Sequence, residues 1–474
     1  MKNKNITSRD VDFGEWYQNV VESARLATYS NVKGCIVFEP NGYAIWESMQ
    51  NVLDKMFKET NHQNVYMPLL IPESLMKKEA DLIEGFAPEA AWVTKGGDKE
   101  LEEPLCIRPT SETLFSDYFS SVLSSYRDLP MKYNQWCNVL RWEKETKPFL
   151  RSREFLWQEG HTVHETKEEA EKETRGMLEV YRKFYEEYLA IPVEVGRKTE
   201  SEKFAGAEYT LTVEALMYNG VSLQGGTSHY FGQKFAKAYD IKYLSRENKL
   251  EYVYQTSWGV STRMIGGLIM VHGDDNGLVL PPKIAPNKVI LIPIGSSEEV
   301  ILVTNEIKEK LLKNNISVIV DETDKQPGFK FASAEVLGIP IRIEIGERDL
   351  KDGKITLVRR DTREKITEYR ACDIVSVITH LLDNIQSSMY NKAKIRKNEL
   401  TFDANTINDV KDIMNKTKGF IKSPWCENPD CEVKMKEYGG LKSRCVLEGV
   451  DTDDKKCVVC GKKAKSIVLW GIQY

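Results

Sequence analysis

The segment 141–161, RWEKETKPFLRSREFLWQEGH, holds the side chains of this chain that are best suited to bind a charged ligand. Its 21 positions include three arginines, four glutamates, two tryptophans and one histidine. Both ends alternate apolar and charged residues, which predicts a β-hairpin with a mobile, arginine-bearing loop. Such a rigid face suits a nucleotide with an anionic co-substrate, although a salt-bridged surface hairpin explains the same pattern. The residues predicted to share a face are Arg141 with Glu143, and Phe155 with Trp157, Glu159 and His161.

A turn that opens a helix supplies a second group of polar residues. The strand 105–112, LCIRPTSE, is predicted to end in a Thr-Ser-Glu turn before the helix 113–126. Thr110 is expected to be the N-cap of that helix, with Glu112 in its first turn, and this structural role needs no ligand. Both side chains are also free to serve a ligand.

Two glycine pairs mark places where a ligand can approach the backbone closely. The first lies in 223–229, LQGGTSH, and the second follows a strand-like run in 258–277, WGVSTRMIGGLIMVHGDDNG. A single histidine in such a segment is more often a structural residue. The polar residues that accompany these glycines are Gln224, Thr227, His229, Ser261 and Arg263.

Composition limits the classes of protein that this chain can belong to. At 474 residues it exceeds what one core usually supports, so two or three domains are expected. The longest apolar runs, such as 289–294, are far too short to cross a bilayer, and no apolar segment follows the basic N-terminus. We therefore expect a cytosolic protein without membrane contact. Its net charge of −5 argues against indiscriminate binding of polyanions.

The pattern of elements divides the chain into three predicted domains. Residues 1–282 mix helices with alternating strands and end at a proline-rich linker, PPKIAP. Residues 287–397 alternate β and α elements, which predicts a small α/β domain with a mixed sheet. Residues 399–474 begin with a polar helix and carry five of the nine cysteines.

The cysteines of the third domain have the spacing of a metal site. Two close pairs separated by a loop provide the four thiolates that a tetrahedral structural Zn²⁺ requires, whereas the remaining cysteines are expected to be thiols. Cys445 lies between the pairs and is expected to be a bystander, although it could replace one ligand. The predicted zinc ligands are Cys426, Cys431, Cys457 and Cys460.

Together these segments resemble a class II aminoacyl-tRNA synthetase. The hairpin resembles motif 2 of that class, and the run holding Arg263 resembles motif 3. An early helix followed by the predicted Pro68 strand resembles motif 1. More narrowly, the chain is similar to prolyl-tRNA synthetases of the archaeal/eukaryote-like type. Many class II enzymes place the motif 3 arginine after the glycines, whereas here Arg263 precedes them, as in the proline branch. The strings that carry the resemblance are PTSE (109–112), FLRSREFLWQEGH (149–161), QGGTSH (224–229), WGVSTR (258–263) and the C-terminal cysteines.

The resemblance implies a fold for each domain. The first would be an α+β catalytic core, a class II antiparallel sheet flanked by helices. An α/β mixed-sheet anticodon-binding domain and a small zinc-binding C-terminal domain would follow. The anticodon residues are expected to be Arg342, Glu344 and Arg348, although alternating charges on an edge strand also serve solubility.

The resemblance also implies activation of L-proline by ATP to prolyl-adenylate, then transfer of the prolyl group to the 3′ end of tRNA(Pro), in a homodimer. The nucleophile is an ionised carboxylate, so the reaction needs charge neutralisation and positioning rather than a general base. Arg141 and Arg263 would be the catalytic residues. ATP, with Mg²⁺, would contact Arg141, Glu143, Arg153, Phe155, Gln224, Thr227, Ser261 and Arg263. Proline would contact Thr110, Glu112, Arg141, Trp157, His161, His229, Phe86 and Glu89.

Two other functions fit part of the pattern. A sister class II synthetase, such as a threonyl enzyme, is opposed by the proline-type strings and by the lack of a catalytic zinc triad in the core. A non-catalytic, zinc-stabilised RNA-binding paralogue is opposed by Arg141, Glu143 and Arg263, because a binding module does not need a phosphate clamp. The segment 160–259 is too short for the inserted editing domain of the bacterial-type branch.

Overall fold

The computed structural model describes residues 6–78, 90–369 and 373–474. The predicted proline contacts Phe86 and Glu89 lie outside the described residues. Within the described part of the chain, none of the helices combines the length and the apolar character needed to cross a membrane.

The described residues up to position 107 form helices and short strands, most of which lie outside the main sheet. The first helix begins after Asp12, whose side chain accepts a hydrogen bond from the Glu15 N–H at 2.9 Å. The second helix begins at Pro40, which fits the first turn because its missing N–H is not needed there. The elements are α1 (Phe13–Ser23), β1 (Ala27–Tyr29), β2 (Ile36–Phe38), α2 (Pro40–Glu59), β3 (Gln63–Asn64), β4 (Leu70–Pro72), α3 (Glu73–Met76), β5 (Ala91–Gly96) and β6 (Lys99–Ile107).

The middle of the chain contains the predicted hairpin. Two expectations are wrong here: Ser111 rather than Thr110 is the N-cap, and Arg263 is the first residue of a helix rather than part of a strand. The elements are α4 (Glu112–Val122), β7 (Met131–Leu140), β8 (Glu154–His164), α5 (Lys167–Lys183), β9 (Val193–Arg197), β10 (Tyr209–Leu216), β11 (Ser222–Gly232), α6 (Lys234–Ala238), β12 (Lys242–Leu244), β13 (Leu250–Tyr252), β14 (Tyr254–Ser261) and α7 (Arg263–His272).

The loop between β7 and β8 is anchored, which argues against a freely mobile loop. Phe149 and Leu150 are buried, and Phe149 packs edge-on against Phe38 with ring centroids 5.3 Å apart. The Tyr17 hydroxyl donates a hydrogen bond to the Pro148 carbonyl oxygen at 2.7 Å. The loop arginines are therefore presented from a segment that is held on both sides.

The α/β part has the mixed sheet that the sequence predicts. Its five strands are ordered β16-β15-β17-β18-β19, with β15 parallel to both neighbours and the remaining pairs antiparallel. The elements are β15 (Val289–Ile294), α8 (Glu298–Lys313), β16 (Val318–Val320), α9 (Pro327–Val336), β17 (Ile341–Gly346), α10 (Glu347–Lys351), β18 (Lys354–Arg359), β19 (Lys365–Tyr369) and α11 (Ile374–Glu399).

The C-terminal strands continue the main sheet instead of forming a sheet of their own. Among the described residues the main sheet has eleven strands in the order β20-β21-β23-β22-β9-β10-β11-β14-β8-β7-β3, antiparallel except for the pair at each end. The single strand expected around Pro68 is not present: edge strand β3 ends at Asn64, and Pro68 lies between it and β4, which pairs with β6. The C-terminal elements are β20 (Thr401–Asp403), α12 (Ile407–Lys416), β21 (Phe420–Trp425), α13 (Pro429–Lys436), β22 (Leu441–Leu447) and β23 (Ser466–Ile472).

A buried ion cluster joins the C-terminal strands to the rest of the sheet. The Glu214 carboxylate lies 2.7 Å from Lys198 Nζ and 2.8 Å from Arg444 Nη2, and all three side chains are buried. Removing either cation would leave an incompletely compensated buried charge, which is strongly destabilising.

Candidate active site

A cavity of about 250 Å³ lies on one face of β8, β11 and β14. Trp258 and Val260 of β14 point to the other face, where helix α5 contributes Tyr181. The intervening residues of β14 therefore face the cavity. The predicted residues that line it are Thr110, Glu112, Arg141, Phe155, Trp157, His161, Gln224, Thr227, His229, Ser261 and Arg263.

Two predicted ATP contacts do not line this cavity. Glu143 lines a smaller adjoining cavity of about 30 Å³, together with Arg141, Phe155 and Arg263. The Arg153 guanidinium lies 4.1 Å from the centroid of the Trp142 ring, and its Nε donates to the Glu143 carbonyl oxygen at 3.2 Å. The structure thus brings Glu143 to the edge of the site and directs Arg153 toward Trp142.

The cationic part of the cavity consists of Arg141 and Arg263. Arg141 Nε donates to the Pro109 carbonyl oxygen at 3.0 Å, and its guanidinium lies 5.5 Å from the ring centroid of Phe155. Arg263 Nε donates to the Leu150 carbonyl oxygen at 3.2 Å, while the nearby Glu143 carboxylate lies 4.0 Å from Arg151 Nε. Burial and then the neighbouring arginines lower the pKa of Arg263. Two like charges held together in this way favour an anion between them.

The acidic part of the cavity is centred on Glu112. The Thr110 hydroxyl donates to Glu112 Oε2, and Ser257 Oγ lies 3.4 Å from Glu112 Oε1. Burial is the main reason that the pKa of Glu112 is raised; the Glu159 charge adds to it and His161 opposes it. No basic side chain of the described residues lies within ion-pair distance of Glu112. A cationic ligand beside Glu112 would therefore stabilise its ionised form.

Two side chains shape the wall beside this carboxylate. Trp157 Nε1 donates to Cys137 Sγ at 3.1 Å, which fixes the plane of the indole. His229 lies between Thr210 Oγ1, 2.9 Å from Nδ1, and Thr227 Oγ1, 3.0 Å from Nε2. Burial and then His161 lower the pKa of His229 to about 3, so this ring is neutral near pH 7.

Glycine is needed at positions 225 and 226 for packing, and not only for the close approach of a ligand that the sequence suggests. A Cβ at Gly225 would lie 2.6 Å from the Tyr185 ring, and a Cβ at Gly226 would lie 2.7 Å from Val260. Val213 pairs with Gly226 and Glu214 with Gln224, so Gly225 is the extra residue of a bulge in β11. Both glycines are therefore required by packing against the helix side, while their backbone lines the cavity.

A second cavity adjoins the cationic part of the site. It has a volume of about 260 Å³ and shares Gln224 and Arg263 with the first cavity. Tyr474 lines it, with its backbone N–H donating to the Ser222 carbonyl oxygen at 3.0 Å. Arg263 thus lies between two cavities whose combined volume is larger than the volume of a single amino acid.

The anticodon candidates lie far along the chain from this site, and two of them are buried. Arg342 Nη2 lies 2.9 Å from Glu344 Oε1 on β17, the middle strand of its sheet and not an edge strand as expected. The Arg342 guanidinium also covers the Phe331 ring at 4.5 Å. Arg348 is exposed at the start of α10. Direct base contacts by Arg342 and Glu344 do not fit their burial and mutual pairing.

The predicted zinc ligands converge. The Sγ atoms of Cys426, Cys431, Cys457 and Cys460 lie within 4.8 Å of one another. Cys426 Sγ is 3.5 Å from Cys460 Sγ and 3.7 Å from Cys431 Sγ. A tetrahedral Zn²⁺ with bonds of about 2.3 Å places sulfurs about 3.8 Å apart, so the arrangement fits zinc. Cys445 is buried among apolar side chains outside this cluster, in agreement with a bystander.

Several cavity residues were not assigned a role from the sequence. Alternation along β8 places Glu159 on the cavity face but does not indicate a function for it, and the same two-residue period along β14 identifies Ser257 with Gly259 and Ser261. The segment containing Glu202 and Phe204 has no periodic signal. The unassigned polar and aromatic residues of the lining are Glu159, Glu202, Phe204, Thr210 and Ser257.

Comparison with known protein families agrees with this arrangement. The family model described as tRNA synthetase class II core domain (G, H, P, S and T) matches residues 92–272, and that of the anticodon binding domain matches 288–380. The model of the prolyl-tRNA synthetase C-terminal region matches 407–474. Fold and site together define a class II aminoacyl-tRNA synthetase.

Similar proteins narrow the class further. Proline--tRNA ligase 2 of a Bacillus cereus strain is 53% identical over 470 residues, covering 99% of this chain and 98% of that relative. Proline--tRNA ligase of Ruminiclostridium cellulolyticum is 54% identical over 472 residues, and that of Clostridium novyi is 52% identical over 469, with the same coverage. This chain belongs to the prolyl-tRNA synthetase family.

Proposed function

We propose that this chain is a proline–tRNA ligase, which activates L-proline with ATP and transfers the prolyl group to tRNA(Pro). The observation that carries the proposal is the division of one cavity into a cationic part, with Arg141 and Arg263, and an acidic part around Glu112. Proline has a secondary ammonium and a carboxylate, and ATP adds a triphosphate, so their charges match the two parts in one orientation.

The cationic part binds the triphosphate and stabilises the transition state. Arg141 bridges the proline carboxylate and the α-phosphate, a bidentate contact that lysine makes poorly. Arg263 holds the triphosphate from the opposite wall, with Gln224, Thr227 and Ser261 nearby. ATP is expected to bring Mg²⁺, which completes the neutralisation of the phosphates, with Gln224 as its candidate neighbour.

The adenine ring is assigned to the Phe155 side of the cavity. Phe155 stacks on the base, Glu143 accepts from its amino group, and Arg263 covers the other side. Arg153 assists by holding the loop: its N–H donates to the Gly34 carbonyl oxygen at 2.9 Å, and its side chain donates to the Glu143 backbone. A direct contact of Arg153 with ATP requires its guanidinium to leave Trp142.

The acidic part binds the imino acid. Glu112 and Thr110 accept from the two N–H groups of the ammonium, and Trp157, His161 and His229 form the walls around the ring. Phe86 and Glu89 are assigned to the same subsite from the family pattern alone. Because shape alone rejects a smaller side chain by only about 1–3 kcal/mol, alanine and cysteine are expected as competing substrates.

The other parts of the chain serve tRNA binding and stability. We propose domains at 1–282, 287–397 and 399–474, with the C-terminal one extending the core sheet and holding a structural Zn²⁺. Anticodon bases are unpaired and stack readily on exposed rings, so Phe329, which is 70% exposed in the first turn of α9, is a better base contact than the buried Arg342. Arg348 remains a candidate for a phosphate or base.

We further propose a homodimer that works in the cytoplasm, the compartment of translation. Exposed apolar side chains occur near the start of the first long helix and in the segment that follows it, and exposed apolar surface is typical of an interaction site. The exposed residues are Tyr43, Tyr66, Leu69 and Leu70.

The test is amino-acid-dependent exchange between pyrophosphate and ATP. We expect exchange with proline in the absence of tRNA, and transfer of proline to tRNA(Pro) when the tRNA is added. Exchange with threonine instead of proline would favour a sister synthetase. Absence of exchange with any amino acid in a protein that binds tRNA would favour the non-catalytic paralogue.

A further inference from the structure

Glu159 is a buried carboxylate at the floor of the cavity, and both of its oxygens are engaged. Its side chain is 3% exposed. Glu159 Oε2 lies 3.0 Å from His161 Nε2, and Glu159 Oε1 accepts from Gln135 Nε2 at 2.6 Å. Gln135 is the direct cross-strand neighbour of Glu159, which holds this contact in register.

Gln135 extends the contact of Glu159 to two other segments. Gln135 Nε2 also donates to Ser111 Oγ at 2.9 Å, and Ser111 precedes Glu112. Gln135 Oε1 accepts from the Met67 N–H at 2.9 Å. Glu159 is therefore the anionic centre of a buried network that joins the turn before α4, the strand β7 and the segment after β3.

His161 depends on the same carboxylate for its orientation. Its ring stacks on Phe115 at a centroid distance of 4.1 Å and an interplanar angle of 19°. Stacking limits the ring plane, but rotation within that plane is set by the hydrogen bond to Glu159. A hydrogen bond to a charged group is stronger than one between neutral groups, so the neutral amide of glutamine holds the ring less firmly.

We propose that Glu159 is a positioning residue of the imino-acid subsite: it holds His161 and the Ser111–Glu112 turn in the geometry that receives the proline ammonium. This inference rests on the proposed function. The ATP contact Arg263 is supported separately, since its Nε donates to the Leu150 carbonyl oxygen in the loop between β7 and β8. Loss of the Glu159 charge therefore weakens proline binding and leaves ATP binding intact.

The test compares Glu159→Gln with Glu173→Gln. Glu173 is also a buried glutamate, with its carboxylate 2.8 Å from His62, but it lies on the helix side of the sheet, away from the cavity. We expect Glu159→Gln to raise the proline KM in pyrophosphate exchange about tenfold, as for loss of one charged buried contact, with little change in kcat or in the ATP KM. Glu173→Gln should lower the melting temperature without changing the proline KM.

Two further variants keep the inference testable if Glu159→Gln folds poorly. Glu159→Asp retains the charge and should recover part of the proline affinity, and Gln135→Met should raise the proline KM by breaking the link to Ser111. An unchanged proline KM in folded Glu159→Gln or Gln135→Met protein would overturn the role, as would a parallel rise in the ATP KM. Wild-type protein without proline-dependent exchange would instead refute the proposed function.

Discussion

Two buried glutamate–histidine pairs lie on opposite faces of the main sheet. Glu159 pairs with His161 at 3.0 Å on the cavity face, and Glu173 pairs with His62 at 2.8 Å on the helix face. The second oxygen of Glu173 lies 2.6 Å from Lys132 Nζ, so this cluster contains its own cation. The second oxygen of Glu159 accepts from an amide and a thiol, which are both neutral donors.

The two faces of the sheet differ in how the charge of a buried carboxylate is compensated. Burial by itself would raise the pKa of Glu173, but the hydrogen bonds and charges of His62 and Lys132 outweigh it and hold the pKa at about 2. On the cavity face the neighbouring Glu112 has a raised pKa, because burial and Glu159 both disfavour its ionised form. The helix-face carboxylate has a cationic partner within the protein, whereas the cavity-face carboxylate Glu112 has none among the described residues and would gain one from the proposed cationic ligand.

The largest expected effect comes from removing the cation of the cavity. Arg141→Ala removes the group assigned to bridge the carboxylate and the α-phosphate, so proline-dependent exchange should fall by roughly 10²–10³-fold or more. Arg175→Ala is the matched control, because Arg175 pairs with Glu448 on the surface. Exchange at the wild-type level by a folded Arg141→Ala protein would refute the assigned role.

The next effect comes from removing the uncompensated acid. Glu112→Gln retains the shape of the side chain but loses the charge that receives the ammonium, so the proline KM should rise about 10–100-fold. The melting temperature should stay the same or rise, since a buried charge without a basic partner is removed. A proline KM within the error of the wild-type value would show that the ammonium binds elsewhere.

The two faces should respond to acid in different ways. Because the pKa of Glu112 is raised, Glu112 is protonated at a higher pH than Glu173, and proline affinity should fall as the pH falls through the pKa of Glu112. The side chains that face the Glu112 carboxyl are Thr110, Ser257, Glu159 and His161. Glu173 has a depressed pKa, so its contribution to stability is full above about 4.5 and is lost as the pH falls toward 2. Calorimetric titration with proline and thermal melts over the same pH range would separate the two responses.

The smallest effect on the cavity is expected from the metal cluster, which does not line it. Elemental analysis should find about one zinc per chain, and chelation should lower the melting temperature, because the four thiolates lose the ion that joins two segments. Below the new melting temperature the proline KM should be unchanged. Fresh protein without stoichiometric zinc would refute the metal site.

Short-range patterns predicted much of the site. Two-residue alternation correctly placed Phe155, Trp157 and His161 on one face, and the cysteine spacing identified a cluster that converges. These features depend on neighbours in sequence, so a local pattern contains them.

Features that depend on distant pairing were not predicted. The glycines at 225 and 226 both face the helix because Gly225 is the extra residue of a bulge in β11, and β22 joins β9 across more than two hundred residues. The burial of Arg342 depends on β18, which covers its strand on the side that was expected to be an edge. No periodicity in the sequence records which strand lies next to which.

The most direct test of the account is a crystal structure with a non-hydrolysable prolyl-adenylate analogue. We predict that the ammonium lies within hydrogen-bond distance of Glu112 and Thr110, the phosphate mimic against Arg141, and the adenine ring between Phe155 and Arg263. An analogue bound with its ammonium away from Glu112, or with no contact to either arginine, would contradict the central claim that this cavity is completed by a cationic imino acid.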